Sequence, residues 1–178
     1  GPISELPGKN VKVENGLGRV RVMPSSDGQL HVRGSISYRG LETRENYNPP
    51  DEPAEITTIR GDTLVIRADS SQTGYGMAGV NYEIELPSGL NLEVENGNGQ
   101  VTIAGLNGDL SVTNHLGEVE VKDCQGKVAV RNDSGNIRLE NVQGNTALQS
   151  RLGMIAVRDF KGSLVAESSS GQINVRAE

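Results

Sequence analysis

Glu118 and Glu120, His31 and His115, and the lone cysteine Cys124 are the side chains of this sequence best equipped for chemistry. Two carboxylates act as general acid and base only at a defined separation and in contrasting environments. A cysteine becomes a nucleophile beside a histidine that takes its proton. Neither arrangement is completed here. His31 and His115 stand on different parts of the chain, and the pattern described below turns Cys124 inward as a buried, inert thiol while His115 takes an exposed corner position. Asp123, Asp133 and Asp159 are scattered among Asn and Ser, without the second glycine and regular aspartate of the calcium-binding GGxGxDxUx repeat. Zinc-type spacing is missing too. No catalytic residue, metal or cofactor is expected.

What positions these residues is a repeat. From Gly99 a glycine recurs every nine residues, at Gly108, Gly117, Gly126, Gly135, Gly144, Gly153, Gly162 and Gly171. Two and four places after each glycine the side chain is apolar, as at Val119 and Val121 or Ile137 and Leu139. Of the 18 such sites between Val101 and Val175, 17 are apolar and Thr146 is the exception, against an overall hydrophobic content of 34%. Polar residues fill the places between, so each repeat holds a short strand with one face buried. Self-similarity at a fixed period marks a stacked repeat architecture.

Six places after the glycine stand Asn114, Asp123, Asn132, Asn141, Ser150, Asp159 and Ser168, after an initial Gly105. Short polar side chains of this kind suit a turn. The corner residue expected to be buried alternates between position seven (Leu106, Cys124, Val142, Phe160) and position eight (Leu116, Ser134, Leu152, Ser170). The true period is therefore eighteen. Two strands make one coil, two parallel sheets face each other, and residues eighteen apart stack about 4.8 Å apart. This predicts an all-β parallel β-solenoid. Outward charges follow the same register: Glu120 and Lys122 fall beside Arg138 and Glu140, Arg158 follows Glu140, and Asp109 falls beside Lys127. The neighbours of Glu118 and Glu120 become Asn136 and Arg138, an ion-pair ladder in place of a second acid.

Gly1 and Pro2 read as the remnant of a cleaved expression tag, leaving residues 3–178 as one domain. Within it, 3–89 form irregular strands and a cap at the N-terminal side, and 90–178 form the regular coils. Val11 to Val22 (VKVENGLGRVRV) already matches Leu92 to Ile103 (LEVENGNGQVTI) at an offset of 81 residues, with a turn expected at Asn15. Between Met23 and Ser88 the period fails. Leu30 and Val32, Ile56 to Ile59, Leu64 and Ile66, and Tyr82, Ile84 and Leu86 mark strands there, with turns at Asp27-Gly28 and Gly61-Asp62. Two loops are expected to project from the cap, 38–55 with three prolines and 68–80 rich in glycine. They carry Tyr38, Tyr47 and Tyr75, whose flat amphipathic rings suit contact with a sugar or a protein. At the far end the last coil is either shielded by Arg176 and Glu178 or paired with another copy.

With 17 basic and 23 acidic residues the net charge is −6, which argues against nucleic acid or an anionic membrane as partner. The segments VENGLGRVRV, VNYEIELPSGLNLEVENGNGQVTI and the GxVxV coils ending in SSSGQINV resemble a bacterial family of candidate adhesins of unknown function, over essentially the whole chain. The most recognisable run is Tyr82 to Gly99. That resemblance implies an extracytoplasmic β-solenoid at the cell envelope or surface, with no catalytic residues to carry over. Any export signal or membrane anchor lies outside this sequence. The expected function is a non-enzymatic adhesion or interaction scaffold whose partner is a surface protein or glycan. One alternative is a structural module, a homo-oligomer assembling end to end through terminal coils. A more distant one is a polysaccharide-active β-helix enzyme.

Overall fold

A computed structural model describes residues 6–38, 55–68 and 78–176. The described residues form sixteen strands and no helix. The first eight are β1 (Asn10–Leu17), β2 (Val20–Pro24), β3 (His31–Tyr38), β4 (Glu55–Arg60), β5 (Thr63–Ala68), β6 (Ala78–Leu86), β7 (Asn91–Asn98) and β8 (Val101–Ala104). The regular coils follow as β9 (Leu110–Leu116), β10 (Val119–Gln125), β11 (Val128–Ser134), β12 (Ile137–Gln143), β13 (Thr146–Leu152), β14 (Ile155–Lys161), β15 (Leu164–Ser170) and β16 (Ile173–Arg176).

They build two eight-stranded sheets, ordered β15-β13-β11-β9-β7-β1-β5-β4 and β16-β14-β12-β10-β8-β2-β6-β3. Val119 pairs with Ile137, and Ile137 with Ile155, all in parallel, so the eighteen-residue register holds rung by rung. The 81-residue likeness is a physical neighbourhood: Val11 lies beside Leu92 and Val20 beside Val101. The chain thus begins inside the stack. From β2 it runs out to the cap, returns through β5 and β6 on one side of β1 and β2, and resumes with β7 and β8 on the other. Only the two outermost strands are antiparallel, β3 against β6 and β4 against β5.

The inward columns, from Val11 and Val13 through Ile137 and Leu139 to Ile155 and Val157, form one aliphatic core. Leu106, Cys124, Val142 and Phe160 fill one corner of it, and burial raises the Cys124 thiol above its ordinary pKa. Thr146 is buried at 4% exposure and its hydroxyl has no hydrogen-bond partner. Leaving a buried hydroxyl unpaired costs free energy, whereas Val has nearly the same shape. Thr146→Val is therefore expected to stabilise the protein by about 1 kcal/mol, read as a higher melting temperature.

The other corner corrects the sequence reading. Leu116 and Leu152 are exposed (51% and 43%), not buried. Their place inside is taken by Asn96, Asn114, Asn132 and Ser150, each 4% exposed or less. These side chains turn into the solenoid. The expected left-handed turn is made in the alternate corner, by Gly105 at φ +70° and by Asp123, Asn141 and Asp159 at φ near +54°. Asn96 Nδ2 donates to Asn114 Oδ1 at 3.1 Å, and Asn114 Nδ2 to Asn132 Oδ1 at 3.3 Å. The same amides reach the carbonyls of Gly18, Gly99 and Gly117 in the adjacent bends. Asn15, expected to mark a turn, stands in β1 at the head of this column and donates to the Val80 carbonyl at 3.0 Å.

The column fails at Ser150, whose hydroxyl is too short to meet Asn132 and stays unpaired. Ser150→Asn would let the amide column run one rung further. It is expected to add about 0.5–1.5 kcal/mol, measured by denaturant unfolding.

Candidate interaction surface

The two insertions expected to carry recognition are rooted together. Tyr38, the last residue of β3, pairs with Ala78, the first of β6. Glu55, the first of β4, pairs with Ala68, the last of β5. The four points where the chain leaves and re-enters the sheets thus lie at the outermost rungs of one corner. This is the corner where β1 passes into β2, since Gly79 backs onto the Leu17 carbonyl. The sheets also trim the expected loops: Tyr38 and Glu55 are strand ends, and Ala78–Val80 belong to β6. Tyr47 and Tyr75 lie outside the described residues. Tyr82, the remaining tyrosine, is fully buried in the core.

Along the same corner, Leu17, Asn98, Leu116, Ser134, Leu152 and Ser170 occupy successive rungs. An aliphatic side chain thus stands on every second rung, about 9.6 Å apart. Single exposed leucines are ordinary, but a repeated row leading toward two insertions makes a ridge. Beside it, the outer face of the first sheet carries a shallow groove of about 340 Å³, with Ser111, Ala129 and Ala147 on its floor and Thr113, Arg131 and Gln149 along one side.

The chemistry-bearing residues are dispersed. Arg138 Nε reaches Glu118 Oε1 at 3.4 Å, so this pair closes diagonally although Arg138 stands in register with Glu120. His115 Nδ1 lies 2.8 Å from Asp133 Oδ2 on the next rung, in the open, while Cys124 points into the core. The other histidine, His31, closes the turn before β3 with Asp27 at 2.7 Å. None of the described His, Cys, Asp and Glu residues form a group of three able to hold a metal.

The Gln29 backbone N–H, then His31 and the Ser25 hydroxyl, pull the Asp27 carboxyl down to about 2. A depressed carboxylate contributes stability above its ordinary value of 3.8 and loses that contribution as the pH falls through about 2. Carboxyl NMR should therefore place the Asp27 midpoint near 2. Asp27→Asn should remove the pH dependence of this turn between those values.

A family model described as Toastrack DUF4097 matches residues 9–178. The chain belongs to the Toastrack DUF4097 family. The crystal structure of a candidate cell adhesion protein from Clostridium sporogenes is similar to this Toastrack chain, with a TM-score of 0.51 at 14% identity. The likeness covers 99% of this chain and 100% of the other, and at that identity it speaks for the fold alone. None of the curated proteins matches the sequence. No helix among the described residues of this Toastrack protein is long and apolar enough to cross a membrane.

Proposed function

We propose that this Toastrack protein is a non-enzymatic interaction scaffold of the cell envelope or surface, which presents the two insertions at its capped end to a surface protein or glycan. The observation that carries the reading is the common root of both insertions, at the Tyr38–Ala78 and Glu55–Ala68 pairs. Insertions that leave and re-enter a rigid stack of strands at one corner can be presented to the same partner, and long loops on a rigid scaffold commonly carry binding. Tyr38, Tyr47 and Tyr75 supply flat amphipathic faces. The adhesion description of the structurally similar Clostridium sporogenes protein points the same way.

The test is retention of bacterial and host cell-surface extracts on the immobilised protein, compared with a Tyr47→Ala/Tyr75→Ala double variant. Binding that falls at least about tenfold, the scale of a lost aromatic anchor, supports the reading. Unchanged binding by the variant rejects the loops as the contact. Turnover of any envelope polysaccharide would reject a non-enzymatic role.

A further inference from the structure

The corner where the first sheet passes into the second carries a regular row of apolar side chains in the middle of the stack. Leu17, Asn98, Leu116, Ser134, Leu152 and Ser170 stand there on successive rungs, so leucine alternates with a small polar residue. Asn96, Asn114, Asn132 and Ser150 fill the interior of the same corner, which leaves Leu116 and Leu152 outside it and exposed. Leucines on every second rung are about 9.6 Å apart. Core side chains of this fold already stack at half that spacing, so each gap in the row is wide enough to take one more leucine.

We propose that this ridge is the interface of an antiparallel homodimer in which the leucines of two copies interdigitate. The two-fold axis lies in the contact plane, perpendicular to the solenoid axis, and crosses the corner midway between the rungs of Leu116 and Ser134. It reverses the order of the rungs. Leu116 then faces Ser134 of the second copy, Leu152 faces Asn98, and Leu17 faces Ser170. Leu116 lies between Leu152 and Leu116 of the second copy, and Leu152 lies between Leu116 and Leu17.

The other two-fold, parallel to the solenoid axis, sets every rung against its own copy. Leucine would meet leucine end to end and hold the serine rungs apart. It would also bring together the insertion roots of both copies, which leave from this same corner.

Charge supports the antiparallel pairing. Its axis keeps the first sheet's side of one copy over the same side of the other, so His115 faces Asp133 and Arg151 faces Gly97. On the second sheet's side, Glu118 faces Asn136 and Arg19 faces Gln172. No like charges are opposed. His115 already holds Asp133 of its own chain at 2.8 Å, so two such pairs flank the axis. The ridge is about 24 Å long and one side chain wide, which places the dimer among weak, reversible contacts. The inference does not rest on the proposed scaffold function, and the dimer leaves its two insertion clusters at opposite ends.

Sedimentation velocity of the full chain, from low micromolar to millimolar concentration, is expected to show a reversible monomer–dimer equilibrium. Leu116→Glu, which sets two carboxylates across the axis, should weaken it at least about tenfold. Val165→Glu, also at an exposed site but on the outer face of β15, should leave it unchanged. Both variants should stay folded by circular dichroism, since neither side chain is buried. A monomer at every concentration would overturn the proposal. Association that survives Leu116→Glu, or that Val165→Glu weakens equally, would overturn it too.

The orientation is read with a short thiol-reactive cross-linker on Asn98→Cys and Leu152→Cys, three rungs apart in one chain but opposed across the dimer. The native Cys124 is buried and stays out of the reaction. The two single variants, mixed, should cross-link to each other, and neither alone should cross-link to itself. Self-cross-linking equal to that of the mixture, or none in a mixture that sediments as a dimer, would refute the arrangement.

Discussion

Gly135→Ala is expected to destabilise the protein by about 3–5 kcal/mol, a loss reserved for severe backbone conflict. Gly135 has φ +130°. A Cβ built there would collide with the carbonyl oxygen of Gly117 on the preceding rung. That contact cannot be relieved by a side-chain rotation, because the obstacle is backbone. That backbone is itself held by the bond from the Gly117 N–H to the Ser134 carbonyl at 2.9 Å. Relief requires the rungs to part, and each rung is stabilised mainly by its neighbours. For a chain of this size the loss corresponds to a fall of about 10 °C in melting temperature. Gly16→Ala is the matched control. Its added Cβ would meet nothing within 4 Å, and Gly16 is not among the glycines with positive φ. It should stay within about 0.5 kcal/mol of the parent. Equal effects at the two sites would show that the nine-residue glycine is kept for flexibility and not for the close approach of rungs.

The same geometry explains which parts of the fold were legible in the residues. Glycine every nine residues, with apolar side chains two and four places on, leaves few alternatives to stacked two-strand coils, and Val119 stands beside Ile137 as that spacing requires. The 81-residue likeness also survives translation into contact. The neighbours on the other side of β1 and β2 could not be read this way. β5 and β6 owe their places to insertions of arbitrary length, so Val11 opposes Leu64 and Val20 opposes Tyr82 at offsets that no repeat encodes.

The corners were half legible. Asparagine suits both a left-handed turn and a buried amide column, so residue type alone gave Asn114 and Asn141 the same role. A discriminating signal was present at the eighteen-residue period. The Asn141 column also contains Asp123 and Asp159, whereas the Asn114 column holds only Asn and Ser. A carboxylate in the interior would need a charged partner, so aspartate marks the solvated corner and its absence marks the buried one. At the candidate surface, the shared root of the two insertions was invisible in sequence, because Tyr38 and Ala78 are brought together only by the antiparallel closing strands.

The buried amide column carries the second large effect. Asn114 is 1% exposed; its amide donates to the Gly99 carbonyl and to Asn132, and its carbonyl accepts from Asn96. Asn114→Ala leaves donors and acceptors on both neighbouring rungs facing a small apolar void that offers them nothing. Unpaired buried polar groups cost about 1–3 kcal/mol each, and a chain of amides that polarise one another loses more than one link. A loss of about 2–4 kcal/mol is expected, from the midpoint of chemical unfolding. Asn141→Ala removes the same side chain from the same position of the nonapeptide, but there the amide reaches only the exposed Asp123 carboxylate at 2.8 Å. Its cost should be near 1 kcal/mol and come from the left-handed backbone, so Asn141→Gly should recover it. Asn114→Gly should recover nothing, because what is missing there is a hydrogen-bonding amide. A parallel response of the two positions to alanine and glycine would mean that both corners are turns and that the amide column adds no stability.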